Sequence, residues 1–167
     1  YQIRLSHKLM STAIEFNSQS AIEGVVPNVF GTMLGLSPTP ITGGGPLMEP
    51  NRVGGTIGIA GDNVTGAIYV HLPEALARVA VNAMFGNPAE QPVEEGDIND
   101  VIGELTNMIG GGFKSALCDA GRACAMSTPS VIRGAYVIEA PPDLRAEIIH
   151  FRCQGQPLAV EIHIKFD

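Results

Sequence analysis

The chain has 167 residues, 45% hydrophobic and 16% charged, with a formal net charge of −7. A chain of this length reads as one domain over residues 1–167, able to bury roughly two thirds of its unfolded surface without metal or disulfide staples. The acidic balance and the lack of any Lys/Arg run argue against nucleic acid and anionic membrane surfaces as partners, and the most apolar stretches, near 21–36 and 75–85, are too short or too interrupted by Glu, Pro and Gly to span a bilayer.

In chain order, the first long helical pattern runs from about residue 10 to residue 36, with Ile22, Val25, Val26, Val29, Phe30, Met33 and Leu34 at apolar positions and Pro27 expected to kink or divide it. Residues 37–51 hold prolines and the run Gly43, Gly44, Gly45, and read as a loop. Residues 55–60 and 65–72 read as a β-hairpin turning at Gly61, Asp62 and Asn63. Pro73 then opens a helix that stops at Gly86, Asn87 and Pro88. After a polar connector, a second long helix covers about 98–117. Residues 130–139, 144–153 and 158–166 alternate apolar and polar side chains between turns and read as three antiparallel strands. This order predicts an α+β fold, with long helices packed on one face of an antiparallel sheet. Each half offers a long helix feeding antiparallel strands, the outline of a duplication with little residue identity behind it.

The second long helix carries the most informative pattern. Ile98, Val101, Ile102, Leu105, Met108, Ile109, Phe113, Ala116 and Leu117 form an apolar stripe expected in the core. Asp97, Asp100, Glu104, Asn107, Gly111 and Lys114 recur at steps of three and four on the other face. Asn107 competes with its own backbone for hydrogen bonds, and each of Gly110, Gly111 and Gly112 costs on the order of 1 kcal/mol relative to alanine. A purely structural helix does not need both. Glycine beside an exposed carboxylate and amide lets another protein's backbone come close, and an amide can orient a water in ways a carboxylate cannot.

The segment resembles the signature of the CheC, CheX and FliY phosphatases: Asp or Ser, three residues, Glu, two residues, Asn, and a Pro about 22 residues on. Asp100, Glu104, Asn107 and Pro129 stand at that spacing. Residues 28–35 are also similar to the end of the family's amino-terminal helix. The resemblance implies a cytoplasmic phosphatase, expected to be a homodimer, that acts on the aspartyl phosphate of a CheY-type receiver domain. It implies that Glu104 anchors to the receiver's active-site lysine and that Asn107 holds the attacking water in line. Mg²⁺ would belong to the receiver, with no cofactor bound by this chain. Gly111 would give room for the partner's approach; Asp100 and Pro129 support the motif. Some members carry a second site on the first helix. Here Glu23 can stand opposite Glu104, but the position three later is Val26, which places the chain nearer to CheX than to CheC. The alternative is a non-catalytic interaction module of the same fold, like a flagellar-switch or adaptor component.

The remaining chemistry-bearing residues read as structural. Asp100 suits the first turn of a helix capped by Asp97, where the helix dipole favours a carboxylate in any case. Pro129 shapes the turn into the next strand. Gly43 to Gly45 lack the Lys and Ser/Thr of a phosphate loop. His71 and His163 are expected on strand surfaces, and no histidine spacing suggests a metal site. Cys118, Cys124 and Cys153, an odd number without CxxC spacing, read as reduced, partly buried thiols of a cytosolic protein. No secretory or lipidation signal is visible.

Overall fold

The computed structural model describes residues 15–44 and 50–167. Its elements are α1 (Ser18–Leu34), β1 (Thr39–Ile41), β2 (Arg52–Gly61), β3 (Val64–Pro73), α2 (Glu74–Phe85), α3 (Glu95–Asp119), β4 (Cys124–Met126), β5 (Ser130–Gly134), β6 (Arg145–Cys153) and β7 (Gln156–Phe166). The strands form one antiparallel sheet in the order β1-β6-β7-β3-β2-β4, with β5 also paired to β2.

Side chains alternate across this sheet as a strand period of two requires. Val53, Ile57 and Ile59 of β2, Ile68, Val70 and Leu72 of β3, and Val160, Ile162 and Ile164 of β7 join Ile22, Val26 and Phe30 of α1, Leu76 and Ala80 of α2, and Ile98, Ile102, Leu105, Ile109 and Phe113 of α3 in a single buried cluster. Each such Val, Leu, Ile or Phe contributes about 1.5–3 kcal/mol relative to an exposed one. The helices therefore cover one face of the sheet, as the sequence pattern predicts.

Several boundaries differ from expectation. α1 starts at Ser18, where the Asn17 side chain accepts a hydrogen bond from the Ser20 amide at 2.9 Å, and it ends at Gly35 in the left-handed region. The expected residues 10–14 lie outside the described residues. Pro27 does not divide the helix; it removes the amide that would bond to Glu23, while Val26, Val29 and Phe30 keep the turn seated in the core. The loop expected over 37–51 contains β1, whose three residues pair with Arg152, Phe151 and His150 at the sheet edge, a place that tolerates Pro40. α3 starts at Glu95, so Asp97 sits in its first turn and is not the cap, and Asp100 falls in the second turn.

β4 has no counterpart in the sequence reading, and β5 stops at Gly134 rather than running to residue 139. The two short strands lie in succession along β2, with Ile59 opposite Met126 and Thr56 opposite Ser130. Ser127 bridges the gap: its amide donates to the Gly58 carbonyl at 3.0 Å and its hydroxyl accepts from the Gly58 amide at 2.8 Å. One side chain thus replaces a ladder bond where the strand is broken.

His71 and His163 are not surface residues; they are 4% and 1% exposed. On the sheet face away from the helices, Glu161 accepts from His71 Nε2 at 3.0 Å and from His163 Nε2 at 2.7 Å, and Tyr136 Oη lies 2.9 Å from His71 Nδ1. His71 and His163 thus share one carboxylate as their acceptor, and the Tyr136 hydroxyl meets the remaining His71 nitrogen. Tyr136 is held from below as well, since Arg52 stacks on its ring at 4.0 Å and hydrogen-bonds its carbonyl. Gly54 makes room for it, because a Cβ there would overlap the Tyr136 hydroxyl.

Candidate functional site

Three contacts fix α3 in place and so decide what its outer face presents. At its start, Arg133 of β5 donates to Asn99 Oδ1 at 2.9 Å and to the Glu95 carbonyl at 2.7 Å, and pairs with the Glu95 carboxylate at 3.4 Å. In its middle, Thr106 is fully buried against Gly55 of β2, where any Cβ would overlap the threonine side chain, while its hydroxyl donates to the Ile102 carbonyl at 2.7 Å. One turn on, Gly110 lies over Ile57 and Met126, at 3.0 and 3.3 Å from a Cβ placed there. Helical geometry then turns Asn107, one residue past Thr106, away from the sheet and towards α1.

Asn107 lines a groove of about 510 Å³ between α1 and α3. Ala21, Gly24, Val25, Asn28 and Val29 form one wall, Asn107, Met108, Gly111, Gly112 and Ser115 the other, and Met126 of β4 contributes as well. Glu104 stands exposed one turn before Asn107 and Met108, and Asp100 one turn before that. Asp100 and Glu104 are like charges at i and i+4, a mildly unfavourable pair that a cation from outside would relieve. Neither Glu104 nor Asn107 has its side chain engaged in a hydrogen bond or ion pair with another described residue. Pro129 is half-buried in the link between β4 and β5 and does not line the groove.

The structure separates the glycine triplet into two kinds. Gly112 is demanded by helix packing, because a Cβ would come within 2.7 Å of Val25, and Gly110 by its approach to the sheet. Gly111 has nothing within 4 Å of a Cβ, and the same holds for Gly103 on α3 and Gly24 on α1. Gly103 and Gly111 stand four residues before and after Asn107, so the amide projects from a bare strip of helix.

Two residues of the site escape sequence reasoning. Met108 belongs to the apolar stripe by spacing yet is 39% exposed beside Asn107, whereas Leu105 and Ile109 are fully buried. The stripe is broad enough that its edge residue falls in the groove. On α1, Val26 is buried and Glu23 accepts a hydrogen bond from Gln19 at 2.9 Å, so Asn28 is the polar residue that α1 brings opposite Asn107. A search for Glu followed three residues later by Asn passes over it. Among the described residues, no group of three His, Cys, Asp or Glu side chains is placed to hold a metal ion, and no helix is long and apolar enough to cross a membrane.

Solved structures define the class to which this arrangement belongs. The chain is similar to the chemotaxis protein CheX of Vibrio vulnificus, with 28% identity and a TM-score of 0.77 over 92% of this chain and 98% of that one. It is similar to CheX of Desulfovibrio desulfuricans, with 29% identity and a TM-score of 0.74 over 89% and 99% of the two chains. A CheX–CheY–BeF3–Mg²⁺ complex from Borrelia burgdorferi shares the fold at 19% identity, with a TM-score of 0.70 over 90% and 99%. No curated protein matches the chain in sequence. Residues 53–152 match the family described as chemotaxis phosphatase CheX, and the chain belongs to that family.

Proposed function

We propose that this protein accelerates hydrolysis of the aspartyl phosphate on a CheY-type receiver domain, with Asn107 positioning the attacking water and Glu104 anchoring to the receiver's active-site lysine. The observation that carries this reading is the placement of Asn107: an unengaged amide on an exposed helix face, flanked by two glycines that packing does not require, beside an open groove. Family membership and the CheX–CheY complex from Borrelia burgdorferi support a receiver as the partner.

The chemistry suits the residues. Hydrolysis of an acyl phosphate needs a water held in line with the breaking P–O bond more than it needs a strong base. An amide can accept a hydrogen bond from that water through its oxygen and donate through its nitrogen without bringing negative charge to the phosphoryl oxygens. A carboxylate at the same place would repel them. Glu104, on the outer side of Asn107, supplies the charge that fits a lysine. Mg²⁺ in the receiver would offset the developing charge on the phosphoryl group, and this chain would bring no cofactor. The exposed Met108 and the α1–α3 groove would take an apolar part of the receiver's surface next to its phosphorylation site.

The protein would act in the cytoplasm as a homodimer. On the outer edge of the sheet, β1 covers β6 only at residues 150–152, which leaves the start of β6 unpaired among the described residues. Such an edge favours pairing with a second copy.

The deciding experiment measures the dephosphorylation rate of a phosphorylated receiver with the unaltered protein, Asn107→Ala and Glu104→Ala. Asn107→Ala should slow the reaction about 100-fold with receiver binding retained, the size expected when a reacting water is no longer held. Glu104→Ala should weaken binding about tenfold, or ~1.4 kcal/mol. Binding of receivers with no acceleration by the unaltered protein would instead identify an interaction module.

A further inference from the structure

The three cysteines occupy different settings. Cys153 is buried in the core cluster, Cys124 is half-buried as the first residue of β4, and Cys118 is exposed in the last turn of α3. After α3 the chain doubles back at once: the Gly121 amide bonds to the Cys118 carbonyl at 2.9 Å, the Arg122 amide bonds to that of Leu117 at 2.8 Å, and Gly121 takes a φ of 78°. β4 then runs back along the helix. Its Met126 faces α3, lying 3.3 Å from a Cβ placed on Gly110, and Cys124, two residues earlier on the same side of the strand, faces the end of that helix. There the neighbouring thiol is that of Cys118, in the last turn of the helix. Gly61 of β2, paired with Cys124, lets β4 lie close, since a Cβ there would overlap the Ala123 carbonyl oxygen and come within 3.1 Å of the Cys124 Cβ. Lys114, one turn before Cys118, adds a positive charge near the pair.

We propose that Cys118 and Cys124 form a peroxide-responsive thiol pair that closes to a disulfide, a modification site at the carboxyl end of α3. The inference is independent of the proposed phosphatase activity. The settings of the two thiols assign their order of reaction. Burial, and next the neighbouring Cys118, push the Cys124 thiol up, with Lys114 opposing them, so Cys124 stays protonated at neutral pH. Cys118 is the exposed member and meets the oxidant first. Its thiolate attacks one oxygen of hydrogen peroxide, an S–O bond forms, the O–O bond breaks, and the departing hydroxide takes up a proton to become water. The Cys124 sulfur, losing its proton, then attacks the Cys118 sulfur. The S–S bond forms as the S–O bond breaks, and the hydroxyl leaves with a proton as a second water. Two thiols are oxidised by two electrons and one peroxide is reduced to two waters. The ring so formed spans only the turn 119–123 and ties β4, with Met126, to the end of α3.

The test treats the whole chain with hydrogen peroxide and counts free thiols after denaturation. Of the three thiols, two should be lost and one retained, with a mass decrease of about 2 Da from the two hydrogens removed, and peptide mapping should join Cys118 to Cys124 within one chain. In Cys124→Ser, Cys118 should accumulate as a sulfenic acid that dimedone traps; Cys118→Ser should form no disulfide. Retention of all three thiols under conditions that oxidise free cysteine would overturn the proposal. So would a bridge to Cys153, or a disulfide between two chains in place of the internal one. The thiol count on the unaltered protein keeps the proposal open to refutation even if a serine variant folds poorly.

Discussion

Two polar regions lie on opposite sides of the sheet, and their chemistry contrasts with their availability. The set on the open face has two histidines, a glutamate and a tyrosine, groups often found in active sites. Yet its members bond to one another, its histidines are buried, and only His163 Nδ1 of the set lacks a partner among the described residues. The outer face of α3 offers an amide, two carboxylates and bare glycine, none of them a strong acid or base at neutral pH. There the side chains have no partners among the described residues and a groove opens beside them. A closed network of titratable groups holds a fold together. Unengaged groups on a rigid element are the ones free to meet another molecule.

The sharpest way to break this contrast is to injure the closed network and watch the rate. Glu161→Ala leaves His71 and His163 without their shared acceptor, which should lower unfolding free energy in urea by about 2–3 kcal/mol. The dephosphorylation rate per folded molecule should stay unchanged. A loss of rate without a loss of stability would move the active site to the other side of the sheet.

A somewhat smaller effect is expected where the fold aims the site. Gly55→Ala forces the added methyl against Thr106, and overpacking of this kind costs about 1–3 kcal/mol. Because Thr106 adjoins Asn107, this variant should lose both stability and rate, unlike Glu161→Ala. Urea titration and receiver dephosphorylation on the same preparation distinguish the two.

Gly111→Ala should act in the reverse sense. Alanine fits the open space and favours the helix by up to about 1 kcal/mol, so the melting temperature should rise. At low receiver concentration the rate should fall by roughly tenfold, as for one lost contact worth about 1.4 kcal/mol. A stabilised variant with full rate would show that the bare strip has no partner.

The smallest effect is a pH dependence. Burial pushes the Glu161 carboxyl up, but the hydrogen bonds from His71 and His163 and their charges outweigh it, and its pKa lies below the ordinary value of 4.5. The unfolded chain therefore binds the proton more readily, and stability gained from this group is present above pH 4.5 and lost as pH falls through the lower, folded value. Stability measured from pH 5 to pH 3 should fall less steeply in Glu161→Gln than in the unaltered protein.

Much of this was legible in the sequence, for identifiable reasons. The hairpin of β2 and β3, the helix opened by Pro73 and the last two strands declare themselves through alternation, turn residues and helical spacing. Glu104 and Asn107 stand out because they sit in a long helix opposite an apolar stripe. The short strands β1 and β4 are too brief for any period to register; the neighbours they pair with create them. The burial of His71 depends on Tyr136 returning from a loop more than sixty residues away in sequence. Asn28 stayed hidden because its partner across the groove is on another helix, and the glycine triplet could not be divided by cause until Val25, Ile57 and Met126 were placed around it.

The seating of Thr106 on Gly55 also bears on where this chain tolerates changes in length. Each residue of a helix advances its face by about 100°. An insertion of one residue between Thr106 and Asn107 would swing the amide out of the groove, while one in the 87–93 connector would leave α3 seated as before. Relatives of this chain should therefore vary in length before α3 and keep a fixed count from Thr106 to Gly112.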